Sequence, residues 1–290
     1  MSTTTKVTIL PVTNPNPNAP QLTSTAWTPT LLGPSLVGWL RADAGVTTDS
    51  TGVNVTALAD QSNTGVPNLV QATTADTPNL IPASQNGLPT LALSKFVSSS
   101  VQPFLQGSSV AANWAFQPNQ PFTVAVAFSK SSVVGPDGSL INSLLGQLNW
   151  ASVGTANGWF LGIKKPTPGI EIVFSLNAGS SFGTTDAINV AGSATLFGGS
   201  SYSAIASYNG SGKAAGVSLF VNGQPQANTV VDDALPAAIT YTGTTPALWM
   251  PNSGGGQNAD TFFEAIVVNR QLSIIETTSL NSYLRTKWGF

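Results

Sequence analysis

The chain has 290 residues, of which ten are Lys or Arg and twelve Asp or Glu, so the formal net charge is -2 and charged residues make up only 8%. That is far below the roughly 25% usual for globular domains, and it excludes the clustered basic face that nucleic-acid binding by counterion release requires. With no Cys and no His, disulfide frameworks, thiol nucleophiles, zinc-thiolate sites and the commonest general base are excluded as well.

Residues 1–35 stand apart by composition. Pro11, Pro15, Pro17, Pro20 and Pro29 alternate with Asn, Thr and Ser. Proline removes backbone donors and biases its predecessor to extended geometry, so an extended arm is expected here rather than a packed element. Within it, KVTIL (Lys6, Val7, Ile9, Leu10) can add a short strand to a neighbouring surface, and with Pro15 and Pro17 it forms the candidate anchoring segment. The N-terminus lacks the apolar core of a secretory signal, and no window approaches the 18 apolar residues of a membrane span. The expectation is a chain made in a cytoplasm and not inserted in a membrane.

From Leu36 onward short apolar runs alternate with turn signals: LVGWLRAD, VNVTALAD, LPTLALS and PFTVAVAFS. That spacing predicts an all-β sandwich over residues 36–290. In PFTVAVAFS, Phe122, Val124, Val126 and Phe128 form a large apolar face, while Thr123, Ala125 and Ala127 form a thin one. Ile170, Ile172, Phe174 and Leu176 repeat the alternation, with Glu171 turned away. Residues 178–200 and 228–247, rich in Gly, Ser and Thr, read as long loops. The clearest local signal lies between Tyr202 and Ala227: two strands with a Gly/Ser link, the second running into Asn222-Gly223. Asn-Gly supplies the two positive φ angles of a type I′ turn. Thr261–Asn269 is apolar on both faces, hence an interior strand. Ser273 and Glu276 then match a capping box, predicting a helix at about 273–288 with Leu280, Leu284 and Trp288 on one stripe and Gly289 closing it.

Several blocks together carry a family likeness: LVGWLRADAGV, ALADQSNTG, QNGLPTLALS, LFVNGQ and FFEAIVVNRQLSIIETTSLNSYLRTKWG. They resemble the concanavalin A-like, laminin-G-like jelly-roll domains, in the versions found in phage and prophage structural proteins. The likeness runs from Leu36 to Phe290 and leaves the arm outside. It implies a two-sheet antiparallel jelly roll used as a glycan-binding, adhesive or virion-surface module; a fold of this kind does not settle function by itself.

Hydrolases related to this family carry two or three carboxylates on one strand, about 5 Å apart for retention of configuration. Here Glu171, Glu264 and Glu276 stand singly and Asp232-Asp233 are adjacent, so no catalytic residue is assigned. Glu264, on an apolar strand, reads as an internal acceptor paired with Arg41 or Arg270. Calcium, held by some relatives, has two weak candidate positions: Asp60 with Asn63, and Asp260 with Asn258. Asx turns explain these residues as well. A sugar site needs an aromatic platform beside neutral hydrogen-bonding groups. Trp249 with Asn252, Gln257 and Asn258 is one such grouping, and Trp159, near Trp150, Asn149 and Asn157, is another. The expectation is a non-enzymatic phage virion protein (capsid decoration, head fibre or tail accessory). It would dock on other virion proteins through the arm, as a homo-oligomer. The alternative is a lectin-like module for host surface polysaccharide.

Overall fold

The computed structural model describes residues 27–71, 77–92, 104–130, 141–152, 155–164, 170–181, 186–241, 243–248 and 260–290. The anchoring candidates Lys6, Val7, Ile9, Leu10, Pro15 and Pro17 lie outside them, as do Trp249, Asn252, Gln257 and Asn258. In chain order the strands are β1 (Leu36–Arg41), β2 (Val46–Thr48), β3 (Val55–Leu58), β4 (Leu69–Val70), β5 (Asn79–Gln85), β6 (Leu88–Ala92), β7 (Leu105–Gly107), β8 (Phe122–Ser129) and β9 (Ile141–Ser152). They continue with β10 (Thr155–Lys164), β11 (Glu171–Ser181), β12 (Ala187–Gly192), β13 (Ser201–Tyr208), β14 (Val217–Val221), β15 (Gln224–Pro225), β16 (Asn228–Asp233), β17 (Thr245–Leu248) and β18 (Thr261–Val268). Among the described residues the one α-helix is α1 (Ile274–Trp288), which follows β18.

These strands make a two-sheet β-sandwich. An eight-stranded sheet runs β15-β14-β13-β8-β18-β6-β5, with β1 also paired to β18, and a ten-stranded sheet runs β16-β12-β11-β10-β9-β17-β7-β4-β3-β2. Every ladder is antiparallel. The alternation seen in the sequence sets the core: Phe122 stacks on Phe116, meets Tyr208 from the neighbouring strand β13, and meets Trp159 and Phe174 across the two layers. The second row of β11 and its neighbours is not solvent-facing, however. Phe160, Val173, Leu148 and Ala191 form a small separate cluster on the opposite face of the ten-stranded sheet.

β18 is interior, flanked by β8 on one side and by β1 and β6 on the other. The Asn222-Gly223 turn has φ 51 and 79, both positive as its hairpin requires. Two expected loops are in part strand: residues 187–192 form β12 and residues 228–233 form β16, which pair with each other. Their small and polar residues hid the alternation.

Helix α1 begins at Ser273, whose side chain and that of Glu276 satisfy each other's backbone N–H groups, and it ends at Gly289 with φ 71. It lies over the thin face of the eight-stranded sheet, the face that carries Ala125, Ala127 and Ser203. Ser203 Oγ donates to Asn281 Oδ1 at 2.5 Å. Small side chains on that face let the helix approach. Leu280, Leu284 and Trp288 are fully buried, each contributing about 1.5–3 kcal/mol of apolar burial. Packed structure also reaches back before β1. Pro29–Ser35 form 3₁₀ turns with Leu32 buried, and Trp27 meets Tyr283 edge-on at 5.9 Å.

Candidate functional site

The first strand and the last helix meet at Glu264. Its carboxylate is fully buried, and its two oxygens are fully engaged. Oε1 accepts from Trp39 Nε1 at 2.5 Å and from the Tyr283 hydroxyl at 2.8 Å. Oε2 accepts from Lys287 Nζ at 2.6 Å and from Trp288 Nε1 at 2.9 Å. The expected partners were Arg41 or Arg270, and neither holds it. Arg41 makes a two-pronged pair with Asp43 (2.9 and 2.7 Å), Asp43 also takes Lys287 Nζ at 3.1 Å, and Arg270 pairs with Glu276. Burial alone would raise the Asp43 carboxyl, but Arg41 and Lys287 hold it below its ordinary value. Burial pushes the Tyr283 hydroxyl up, and the charge of Glu264 adds to that, so it stays a donor. Two cations and two carboxylates thus cancel beneath the surface.

Next to this cluster, and sharing Tyr283 and Lys287 with it, the outer face of α1 and the incoming chain form a groove of about 430 Å³. Trp27 and Tyr283 supply ring surface, and Thr278, Ser279, Ser282 and Thr286 supply a line of hydroxyls at helical spacing. Thr278 and Ser279 donate back to the carbonyls of Ile274 and Ile275 at 2.8 and 2.9 Å, which leaves their oxygen lone pairs for a ligand's donors. Lys287 borders the groove, but its ammonium is spent on Glu264 and Asp43. Apolar ring surface beside uncharged hydroxyls suits a neutral, polyhydroxylated ligand.

Trp159, expected as a platform, is fully buried. Its Nε1 donates to Trp114 O at 2.6 Å and its ring leans on Trp114, Phe116 and Phe122. It is a core residue and not a binding platform. Asp60 is an Asx cap: it accepts from the backbone N–H of Trp39 at 2.7 Å and of Ser62 at 3.1 Å. Asp260 pairs with Lys130 Nζ at 2.8 Å, both side chains fully buried. Among the described residues no three acidic, His or Cys side chains gather as a metal site would need. Trp27 and the hydroxyl face of α1 escaped the sequence reading. Trp27 falls in the proline-rich stretch, although the 3–4 residue spacing of Ser and Thr along the outside of a capped helix was visible.

No protein-family model matches this chain, and no curated protein matches it. Solved structures do. The binding domain of Paraclostridial Mosquitocidal Protein 1 superposes with a TM-score of 0.57 at 15% identity, over 87% of this chain and 53% of that one. The botulinum neurotoxin serotype G binding domain follows with a TM-score of 0.49 at 10% identity, over 88% of this chain and 54% of its own. A Trypanosoma rangeli sialidase gives 0.47 at 16% identity, over 87% of this chain and 33% of its own. The chain therefore spans about half the length of the binding domains it resembles. At such identities the likeness is one of fold: a two-sheet antiparallel β-sandwich.

Proposed function

We propose that this chain is a non-catalytic carbohydrate-binding module that takes a neutral glycan in the groove between Trp27 and α1. The observation that carries this reading is the pairing of the Trp27 and Tyr283 rings with four neutral hydroxyl side chains in a groove whose lining lysine, Lys287, is already paired with Asp43 and Glu264. A sugar's apolar face stacks on a ring while its hydroxyls meet Ser and Thr oxygens. The fold supports it to the extent that the mosquitocidal protein's region of the same fold is named a binding domain. Display of such a module on a virion, with the arm of residues 1–35 docking to other virion proteins, is a finer proposal carried by the composition of that arm and by the sequence resemblance of the rest.

A glycan array read with the full chain, followed by calorimetry on the best neutral hit, tests the groove. Trp27→Ala should weaken binding about tenfold or more, which corresponds to about 1.4 kcal/mol, and Trp27→Phe should restore part of it. Saturable binding that Trp27→Ala leaves unchanged, or no binding to any neutral glycan, would overturn the assignment.

A further inference from the structure

Each edge of the two sheets can be asked how it avoids pairing with another chain, since an open edge is a template for a strand. The edge at β15 is two residues long and ends in Pro225, and the edge at β2 is three residues long. β5 carries Pro82 followed by Ala83 at φ 49, and its ladder with β6 is interrupted between Ile81 and Gln85. β1 has its outer side occupied. Trp39 N–H donates to Asp60 at 2.7 Å, Trp39 O accepts Gln61 N–H at 2.8 Å, and Val37 O accepts Trp114 Nε1 at 2.8 Å and Thr64 Oγ1 at 2.9 Å.

β16 differs from all of these. It is six residues long, contains no proline and, among the described strands, pairs with β12 alone. Val230 and Val231 are 53% and 37% exposed. A one-residue bulge at Val231 adds twist without closing the outer side.

The residues of this strand, N-T-V-V-D-D, complement themselves when reversed. Antiparallel pairing of two copies about a two-fold axis between Val230 and Val231 sets valine against valine. It sets Thr229 against Asp232 and Asn228 against Asp233, so each carboxylate faces a neutral donor and no like charges meet. The two-fold repeats each match. Within its own domain Asp233 is held by Ala214 N–H at 2.7 Å and Asp232 by Asn189 Nδ2 at 2.6 Å, which fixes where both carboxylates stand.

We infer that β16 is a self-pairing edge: a second copy of this chain adds its own β16 antiparallel to it, joining two ten-stranded sheets into one. A contact six residues wide is small for a permanent interface, so the dimer is weak and concentration-dependent. Its use is to hold two domains together, so that two weak sites act on one surface. The inference stands independently of what the groove on α1 binds.

Sedimentation velocity of the full chain over a concentration series tests it. The sedimentation coefficient should rise with concentration, and V230K should hold the protein monomeric at an unchanged melting temperature, because Val230 is exposed. Since the chain has no cysteine, a mixture of V230C and V231C should cross-link into the mixed dimer faster than either variant alone. A monomer at every soluble concentration would overturn the inference, and so would a dimer indifferent to V230K. A dimer that forms only after residues 1–26 are deleted would overturn it too, because the chain's own leader would then hold the edge.

Discussion

Asp260 and Glu264 are neighbours in sequence and both are fully buried, yet they are placed in opposite situations. Asp260 meets Lys130, and these two residues flank β18 and β8, strands that seven ladder pairs already hold side by side. Glu264 draws on Trp39 from β1 and on Tyr283, Lys287 and Trp288 from α1, segments that no ladder joins to one another. The Lys130–Asp260 pair restates a geometry that the sheet provides. The Glu264 site creates one, because it is where the helix is tied down. A buried ion pair repays its desolvation only when its remaining hydrogen-bonding capacity is met. Glu264 meets that condition by ending four donor groups at once.

The contrast can be broken from either side. The largest effect is expected for Glu264→Ala, which leaves the indoles of Trp39 and Trp288 and the part-buried Tyr283 hydroxyl without their acceptor and Lys287 with Asp43 alone. A loss of about 3–5 kcal/mol is expected, read as a fall in denaturation midpoint, with Trp39 and Trp288 fluorescence reporting release of α1. Asp260→Ala should cost somewhat less, about 3 kcal/mol, by removing the carboxylate that Lys130 Nζ meets at 2.8 Å. The paired replacement of Lys130 by Met and Asp260 by Leu should return stability to within about 1 kcal/mol of the parent. The same apolar double replacement at Glu264 and Lys287 should not recover, because the two indoles and the phenol still lack an acceptor. Equal recovery at both sites would erase the distinction drawn between them.

The smallest effect belongs to the start of α1. Ser273→Ala should cost about 1 kcal/mol through loss of the cap. Glu276 next to it is held well below its ordinary value, at about 2, first by Arg270 and then by the Ser273 N–H. A carboxyl depressed in the folded state contributes stability that is full above the ordinary carboxylate range and fades as pH falls through about 2. Thermal melts between pH 5 and pH 2 should therefore show Glu276→Gln losing its deficit relative to the parent as the pH drops. Because that side chain is about a third exposed, solvent screening keeps the change small.

Much of this architecture could be read from residue order, and the reasons are local. The rows in β8 and β11, the two-faced apolar β18, the Asn222-Gly223 turn and the two ends of α1 each depend on residues within a few positions of one another. β12 and β16 were missed because the apolar rows are short, only Ile188 and Val190 in AINVAG and the adjacent Val230 and Val231 in NTVVDD, amid small and polar residues; their strand state comes from the neighbours they pair with. Trp159 was misread because indoles in cores and indoles in sugar sites look alike until their neighbours are known, here Trp114 and Phe116. Glu264 illustrates the same limit. That it accepts hydrogen bonds internally was legible, but which groups donate depends on β1 meeting α1 across more than 200 residues. The groove followed the same rule: Trp27 gains meaning only beside Tyr283.

The contact between Trp27 and Tyr283 also decides how this domain can be wired to others. Its first packed aromatic ring touches its final helix, and Phe290 O is drawn back to Arg285 at 2.9 Å. Entry and exit thus share one side, as in a cassette whose two leads leave through the same wall. Such a unit could be spliced into a surface loop of a host polypeptide, or permuted through a short glycine linker, without unthreading either sheet.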